Sequence, residues 1–286
     1  MLKSENLSKN FGEADVVQEL SIELGESEIV GLLGPNGAGK TTAMQMLSGL
    51  LKPDSGEVWV EEGSVKEDVS VVFQEAEYDS KLKVKEFMRM MSVLNENRTQ
   101  MDYFIETVGL DDFRETFLPN LSGGNKKKVN IASGLLKDPD FLLLDEPTSG
   151  LDPRAKKNVR TIIEEFSSEK GILVSTHSME EAEKLCDRIV IIENGEQVIS
   201  GSPDELISSI EADFVVSAEG EIPDDFEFET IGNKDNFEIR TDKPHLVVKK
   251  LVERNLIENL SNLSIQKPGL EDVFFEVTGR RYEESN

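Results

Sequence analysis

The chain has little of what metal clusters, disulfide frameworks and membrane spans require. It contains one cysteine, Cys186, and two histidines, which argues against an internal disulfide and against a cysteine–histidine metal cluster. Its longest apolar runs, Ile29–Leu33 and Phe141–Leu144, are strand-sized, far short of the roughly 20 residues of a membrane helix. The N-terminus lacks the apolar core of a signal peptide. We therefore expect a cytoplasmic chain whose contact with a membrane depends on a partner.

Basic residues are also scarce relative to acidic ones. The 286 residues include 57 acidic and 31 basic side chains, which gives a formal net charge of −26. Because proteins bind nucleic-acid backbones through basic surfaces, this balance predicts that the chain has no nucleic-acid partner. Such acidity is typical of a soluble subunit and would also suit a salty cytoplasm, although the many lysines and isoleucines disfavour the second interpretation.

The order of apolar and polar segments predicts an α/β fold in residues 1–210. Residues 2–33 alternate as strands do, and a helix is expected from Lys40 to about Leu50. Further buried strands at VSVVFQ, FLLLDEP and ILVSTH alternate with helical segments, which indicates a mostly parallel sheet beside an antiparallel part. Residues from about 75 to 136 have helical spacing instead, and we expect them to form a helical subdomain.

A second, smaller α+β domain is predicted over residues 211–286. The segments FVVSAEGEIP, FEFETIG and NFEIRTD have the pattern of short antiparallel strands. HLVVKKLVERN and LEDVFFEVTGR have helical spacing, and LSNLSIQKP between them is a predicted strand. Before this domain, Asn194-Gly195 predicts the tight turn of a β-hairpin.

A phosphate-binding loop follows the buried strand at Ile29–Leu33. The sequence GPNGAGKTT has the spacing GxxxxGK[ST] between a strand and a helix, where backbone amides and the helix dipole attract phosphate. Lys40 is expected to reach the β- and γ-phosphates of ATP, and the Thr41 hydroxyl to bind Mg²⁺. The predicted ATP-binding residues of this loop are Gly34, Pro35, Asn36, Gly37, Ala38, Gly39, Lys40, Thr41 and Thr42.

Two adjacent carboxylates end the strand FLLLDEP, about a hundred residues after the phosphate loop. We expect Asp145 to hold Mg²⁺ through water. Glu146, which faces a different direction, is expected to be the general base that activates the attacking water. Acidic residues after a strand are common, but their pairing with a phosphate loop strongly indicates a nucleotide hydrolase.

Between these motifs lies LSGGN, residues 121–125, which resembles the LSGGQ signature of the ATP-binding cassette (ABC) ATPases. The family's other motifs then follow in order. The resemblance implies that Gln74 binds Mg²⁺ and the attacking water, that SGLD at residues 149–152 is the D-loop, and that His177 contacts the γ-phosphate. It also implies that Phe11 stacks on adenine. Glu146, His177, Lys40 and Gln74 are therefore the expected catalytic residues, and Thr41, Gln74 and Asp145 the expected metal ligands.

The resemblance also implies a site shared between two chains. In this family the signature turn, here Ser122, Gly123 and Gly124, covers the γ-phosphate held by a second copy, and Asp152 of the D-loop is expected to bind ATP as well. Two chains would thus enclose two ATP molecules, and hydrolysis would separate them. The chain departs from the family pattern at Asn125, where glutamine is usual, and in the three lysines that follow, where arginine is commoner. We expect function to be retained.

The branch of the family is indicated by what surrounds the motifs. Long coiled coils, a second cassette and zinc-binding cysteines are all missing, which leaves the ATP-binding subunit of a membrane transporter. GLEDVFFEVTGR resembles the closing segment of ABC-2-type exporter subunits, so we expect a separate integral-membrane permease, docked near Gln74 on the inner face of the membrane. Two alternatives stay open. One is a soluble ABC ATPase in regulation, translation or repair, and the other is a non-catalytic ATP-binding subunit.

Overall fold

A computed structural model describes residues 1–74, 81–95, 100–210, 214–223, 225–232 and 236–279 of the chain. The chain divides into two compact units, Met1–Pro203 and a second unit that begins at Asp204. Each unit has its own core. None of the helices in these residues is long and apolar enough to cross a membrane.

The first unit begins with a four-stranded antiparallel sheet. β1 lies at its centre and pairs with the three other strands, at Leu7 with β2 and at Leu2 with β3 and β5. Its buried side chains, Leu2, Ser4 and Leu7, recur at every second or third position, as the alternation of residues 2–33 predicts. The strands are β1 (Leu2–Phe11), β2 (Ala14–Leu20), β3 (Glu23–Leu24) and β5 (Ser55–Val60), with β4 between the last two in the chain.

A six-stranded sheet forms the centre of the same unit. Its order is β10-β9-β4-β8-β7-β6, and every pair is parallel except the β9–β10 hairpin. Asn194 and Gly195 have positive φ angles of 51° and 85° and form the predicted hairpin turn. The three central strands β4, β7 and β8 are buried at every position. The strands are β4 (Ile29–Leu33), β6 (Val69–Val72), β7 (Phe141–Asp145), β8 (Gly171–Thr176), β9 (Arg188–Glu193) and β10 (Glu196–Gly201).

Helices connect these strands, and three helices, α3, α4 and α5, follow one another with no strand between them. α1 ends at Leu47, before the expected Leu50, because Gly49 leaves the helix with a φ of +73°. α3, α4 and α5 fall in the segment with helical spacing; of that segment, residues 75–80 and 96–99 lie outside the described part. The helices of the first unit are α1 (Lys40–Leu47), α2 (Val65–Asp68), α3 (Val84–Leu94), α4 (Met101–Thr107), α5 (Gly123–Leu135), α6 (Pro153–Ser167) and α7 (Met179–Leu185).

The second unit is a four-stranded antiparallel sheet with helices, in the order β12-β13-β11-β14. Its core joins the sheet residues Val216 and Ile239 to Val247 and Leu251 of a helix. The expected strand FEFETIG is wrong for most of its length, because only Ile231–Gly232 pairs with a neighbour. The elements are α8 (Pro203–Ser208), β11 (Phe214–Glu219), β12 (Ile231–Gly232), β13 (Asn236–Thr241), α9 (Pro244–Glu253), β14 (Ser261–Gln266) and α10 (Leu270–Thr278).

The alternation of FEFETIG has a different physical cause. Phe226 is buried in the core of the second unit, and Phe228 packs against that core, their ring centroids 5.8 Å apart. The two aromatic rings therefore anchor an irregular segment rather than one face of a strand. The predicted α/β fold with an antiparallel part, consecutive helices and a small C-terminal α+β unit is otherwise confirmed.

Candidate functional site

The phosphate loop joins β4 to α1 and opens onto a pocket of about 200 Å³. Gly39 caps α1 with a left-handed φ of 96°, and a Cβ there would lie 2.4 Å from the carbonyl oxygen of Val16. Only glycine fits this approach, which leaves the first amides of α1 facing the pocket. The pocket is lined by Val16, Asn36, Gly37, Gly39, Lys40, Thr41, Thr42, Gln74, Asp145 and Glu146.

Lys40 is buried at the floor of this pocket. Its Nζ donates to the carbonyl oxygens of Gly34 at 2.7 Å and Pro35 at 3.1 Å, and it lies 3.5 Å from Oε1 of Glu146. Burial lowers the pKa of the Lys40 ammonium, and the nearby carboxylates of Glu146 and Asp145 oppose that shift. The loop thus positions a cation through its own carbonyl groups, where an incoming phosphate could replace them.

Asp145 ends β7 and accepts two hydroxyl hydrogen bonds. Thr41 Oγ1 donates to its Oδ2 at 2.8 Å, and Ser175 Oγ donates to its Oδ1 at 2.5 Å. Ser175 belongs to the neighbouring parallel strand β8, which pairs with β7 at this position. The arrangement gathers hydroxyl and carboxylate oxygens at the entrance to α1. Such oxygens are the ligands that Mg²⁺ prefers.

Glu146 follows β7 with a left-handed φ of 49°. That conformation costs about 1–2 kcal/mol for a residue other than glycine, so the surroundings must stabilise it. Its amide donates to Ser175 Oγ at 3.0 Å, and its carboxylate oxygens lie 2.8 and 2.9 Å from His177 Nδ1. Together with Lys40, these contacts hold a buried carboxylate at the wall of the pocket.

Gln74 follows β6, two residues after its last residue, Val72. Its Nε2 donates to Ser149 Oγ at 3.4 Å. Lys127 of α5 donates from Nζ to the carbonyl oxygens of Gln74 at 2.9 Å and Glu146 at 3.0 Å. Gln74 and Glu146 are thereby joined through Lys127, which none of the sequence motifs marks as a site residue.

Phe11 is not brought into the lining of the phosphate-loop pocket. It ends β1 with 54% of its surface exposed, and the Lys9 ammonium lies 5.7 Å from its ring centroid. Val16 of β2 lines the pocket instead, with no pattern in the sequence to mark it. Phe11 is exposed, and its stacking on adenine stays a prediction. Pro35 and Ala38 complete the loop, with the Ala38 amide donating to the Pro35 carbonyl at 3.2 Å.

The signature turn lies at a different pocket, of about 140 Å³. Ser122 caps α5 by accepting from the Asn125 amide at 3.3 Å, and Asp152 caps α6 by accepting from the Arg154 and Ala155 amides at 3.0 Å. No residue that lines this second pocket also lines the first. Gly123 is exposed at the same helix N-terminus. Within one chain, the two predicted halves of the ATP site are thus separate.

Comparison with known proteins now identifies the family. The ABC transporter family profile matches residues 17–149. The linearmycin resistance ATP-binding protein LnrL of Bacillus subtilis (strain 168) is 32% identical over 98% of this chain and 99% of its own length. The chain belongs to the family of ABC transporter ATP-binding proteins.

Other relatives agree on the same family. The Nod factor export ATP-binding protein I of Rhizobium leguminosarum bv. viciae is 34% identical over 97% of this chain and 94% of its own length. A solved structure of the ATP-binding subunit of an ABC transporter is 26% identical and covers 73% of this chain and 92% of its own, with a TM-score of 0.65. The chain is thus an ABC ATPase that binds ATP, and the fold assignment is confirmed.

Two residues that contact Glu146 could not be identified from the motifs of this ABC ATPase. Ser175 bonds to both Asp145 and Glu146, but a serine inside a buried strand carries no distinctive signal. Lys127 belongs to a run of three lysines, and the sequence alone does not distinguish which one contacts Glu146. Parallel pairing of β7 with β8 could have pointed to Ser175, since paired strand ends meet at one edge of a sheet.

Proposed function

We propose that this chain is the ATP-binding and ATP-hydrolysing subunit of an ABC-2-type membrane exporter, in which closure of two such chains on ATP drives a separate permease. The export branch is supported by relatives named for linearmycin resistance and Nod factor export, which align over nearly the whole chain. The closing segment GLEDVFFEVTGR at the end of the second unit supports the same branch.

The observation that carries the proposed hydrolysis is the convergence of Lys40, Asp145 and Glu146 on one phosphate-loop pocket. Lys40 would exchange its carbonyl partners for phosphate oxygens and offset their charge. Glu146 would orient the attacking water and accept its proton as the water oxygen bonds to the γ-phosphorus and the bond to ADP breaks. His177 would keep the Glu146 carboxylate aimed at that water and reach the γ-phosphate.

The residues around Thr41 fit a magnesium ion in their chemistry. Mg²⁺ is usually held by one or two carboxylates together with waters and substrate phosphates, rather than by a complete protein cage. The Thr41 hydroxyl, the Asp145 carboxylate and the Gln74 side-chain oxygen would supply such a partial set. Bound there, the ion would neutralise part of the phosphate charge.

The second half of each ATP site would come from another copy of the chain. α5 begins at the exposed Gly123, has no acidic residue in its first turn and carries three lysines in its second turn. The partial positive charge at the N-terminus of the helix and the neighbouring lysine ammonium groups repel one another, and a bound anion would relieve that repulsion. Ser122, Gly123 and Gly124 would therefore cover the γ-phosphate held by the partner's loop, with Asp152 at the same interface.

A groove beside Gln74 is the proposed docking site for the permease. Phe73, Phe87 and Met91 line a cleft of about 250 Å³ between β6, α3 and α5. Closure of the two ATPase subunits would move this cleft together with Gln74. The subunit would then act at the inner face of the membrane, held there by the permease.

The second unit, which follows the ATPase core, is proposed as an accessory region that supports dimerisation.

The variant Glu146→Gln tests the proposed chemistry. The amide keeps the size of the side chain but cannot accept the proton, so hydrolysis should fall by at least about 100-fold while ATP affinity is kept. ATP should then hold two chains together, which size-exclusion chromatography with light scattering would show. Hydrolysis by Glu146→Gln at the parental rate would contradict the assignment of Glu146 as the general base.

Purification of the chain from membranes distinguishes the transporter proposal from the alternative of a soluble regulator. A tagged chain, extracted in mild detergent, should carry an integral-membrane protein with it, and Phe87→Asp in the groove should reduce that association. The proposal predicts that Phe87→Asp keeps the ATPase activity of the isolated chain. Recovery of the chain with ribosomes or DNA, and without a membrane protein, would favour the soluble alternative.

A further inference from the structure

We propose that Lys127 is a positioning residue that ties the helix carrying the signature turn to the general base and to the Gln74 segment of the same chain. This inference rests on the proposed hydrolytic function. It concerns a residue outside the phosphate-loop pocket, since Lys127 is not among the residues that line it. Its role would therefore be to hold other groups in place rather than to touch ATP.

The geometry is specific for one ammonium group. Nζ of Lys127 donates to the backbone carbonyl of Gln74 at 2.9 Å and to that of Glu146 at 3.0 Å. These carbonyls belong to segments that follow different strands, β6 and β7. A lysine has three donors on a flexible stem, so it can bridge two carbonyls that a shorter side chain could not reach together.

The Glu146 carbonyl is a position where such a bond has a large effect. Glu146 is in a left-handed conformation, which is unfavourable for a residue other than glycine and must be held by its surroundings. Ser175 holds the amide of Glu146, and the carbonyl accepts from Lys127 and from the Ser149 amide at 3.3 Å. Without Lys127, the peptide after Glu146 loses its only charged donor among the described residues, and the carboxylate loses part of its orientation.

Lys127 also lies on the helix that begins at the signature turn. α5 starts at Gly123, directly after its Ser122 cap, and Lys127 follows within the first turn and a half. Helices move as rigid elements, so a displacement of the signature turn would be carried to the Lys127 ammonium. Engagement of the partner's ATP by Ser122–Gly124 would thus bear directly on this chain's own Glu146 and Gln74.

The test compares three variants in the full-length protein. Lys127→Met removes the donors and keeps the apolar stem, and Lys127→Arg restores donors of similar reach. Lys137→Met is the matched control, because Lys137 likewise donates from Nζ to two backbone carbonyls, Lys66 at 2.5 Å and Val69 at 2.7 Å. Steady-state ATP hydrolysis gives kcat, equilibrium binding of a fluorescent ATP analogue gives Kd, and thermal melting reports stability.

We expect Lys127→Met to lower kcat by about 10- to 100-fold with Kd for the nucleotide within about twofold, since misplacing a catalytic group costs rate rather than binding. Lys127→Arg should recover most of the loss, and Lys137→Met should keep the parental kcat even if its melting temperature falls as far. Should Lys127→Met fail to fold, Lys127→Gln, which cannot span both carbonyls, takes its place with the same expectation.

Two results would overturn the inference. The first is a kcat for Lys127→Met, or for its Gln substitute, that matches Lys137→Met. The second is a parallel loss of nucleotide affinity, which would make Lys127 part of the binding site. If the parental chain itself does not hydrolyse ATP, the proposed function fails and this inference with it, whereas parental hydrolysis with an unaffected Lys127→Met removes the inference alone.

Discussion

Two helix N-termini in this ABC ATPase are both suited to an anion, yet they differ in what surrounds them. The N-terminus of α1 faces a pocket that holds an ammonium and two carboxylates, Lys40, Asp145 and Glu146. The N-terminus of α5 faces a pocket with Asn125, Lys128 and Asp152 and without Glu146. The first can bind phosphate and position a base, whereas the second offers backbone donors. This difference is what the proposed two-chain site requires, with one half contributed by each chain.

The α1 half should be the more sensitive to loss of its cation. Lys40→Met removes a buried ammonium that would meet the phosphates, so ATP affinity should fall by about 10- to 100-fold and hydrolysis to background. The measurement is binding of a fluorescent ATP analogue together with phosphate release. Lys52→Met, at an exposed lysine shortly after α1, is the matched control and should behave as the parent. Parental affinity in Lys40→Met would contradict the assignment.

A change in the α5 half should lower ATP hydrolysis without changing the affinity of a single chain for nucleotide. Gly123→Asp places a carboxylate where the partner's γ-phosphate would lie, and the new Cβ would lie at an ordinary 3.4 Å from the Leu151 side chain. Repulsion should lower hydrolysis by roughly 100-fold and prevent ATP-dependent dimerisation, with nucleotide affinity of the single chain unchanged. Gly123→Asn, neutral and of the same shape, should be clearly less damaging. Equal loss in both variants would make the effect steric.

The packing of β4, the strand that leads to the phosphate loop, can be tested through the free energy of unfolding. A Cβ on Gly31 of β4 would lie 2.7 Å from Sγ of Cys186, so Gly31→Ala overpacks the strand that leads to the phosphate loop. We expect a loss of about 1–3 kcal/mol in the free energy of unfolding, measured with urea. Cys186→Ala in the same chain should recover most of it. An unrecovered double variant would show that the strain lies elsewhere.

The buried thiol of Cys186 should also make the free energy of unfolding depend on pH. Burial raises the pKa of its thiol from 9.0 to about 12, so the folded state keeps a proton that the unfolded state releases. The contribution of the thiol is complete below pH 9 and declines as pH rises toward 12, by up to about 1.4 kcal/mol per pH unit. Urea unfolding of the parent and Cys186→Ala between pH 8 and 10.5 isolates it. Equal slopes would contradict the prediction.

The same contrast explains how much could be predicted from sequence. The α1 half is local, since Gly34–Thr42 and the Asp145-Glu146 pair each carry their chemistry within a few consecutive residues. What holds these groups is not local. Ser175 and Lys127 meet Glu146 from β8 and from α5, 29 and 19 residues away in the chain. Such contacts follow from strand pairing and helix packing, and no single segment records them.

The second unit shows a different limit of sequence prediction. Phe226 and Phe228 alternate as in a strand because both aromatic rings pack against one core, although the backbone between them pairs with no strand in the described residues. Burial and ladder formation usually produce the same period, and the sequence cannot separate them in so short a segment. The helices α9 and α10, with longer periodic runs, were predicted correctly.

The central claim is that the two halves act together only across two chains, and complementation tests it most directly. Lys40→Met has a defective α1 half and Gly123→Asp a defective α5 half, so each alone should be inactive. In a mixed dimer, the α1 half of one chain meets the α5 half of the other with both intact. An equal mixture should therefore hydrolyse ATP at up to roughly a quarter of the parental rate. A mixture no faster than its separate components would contradict the account.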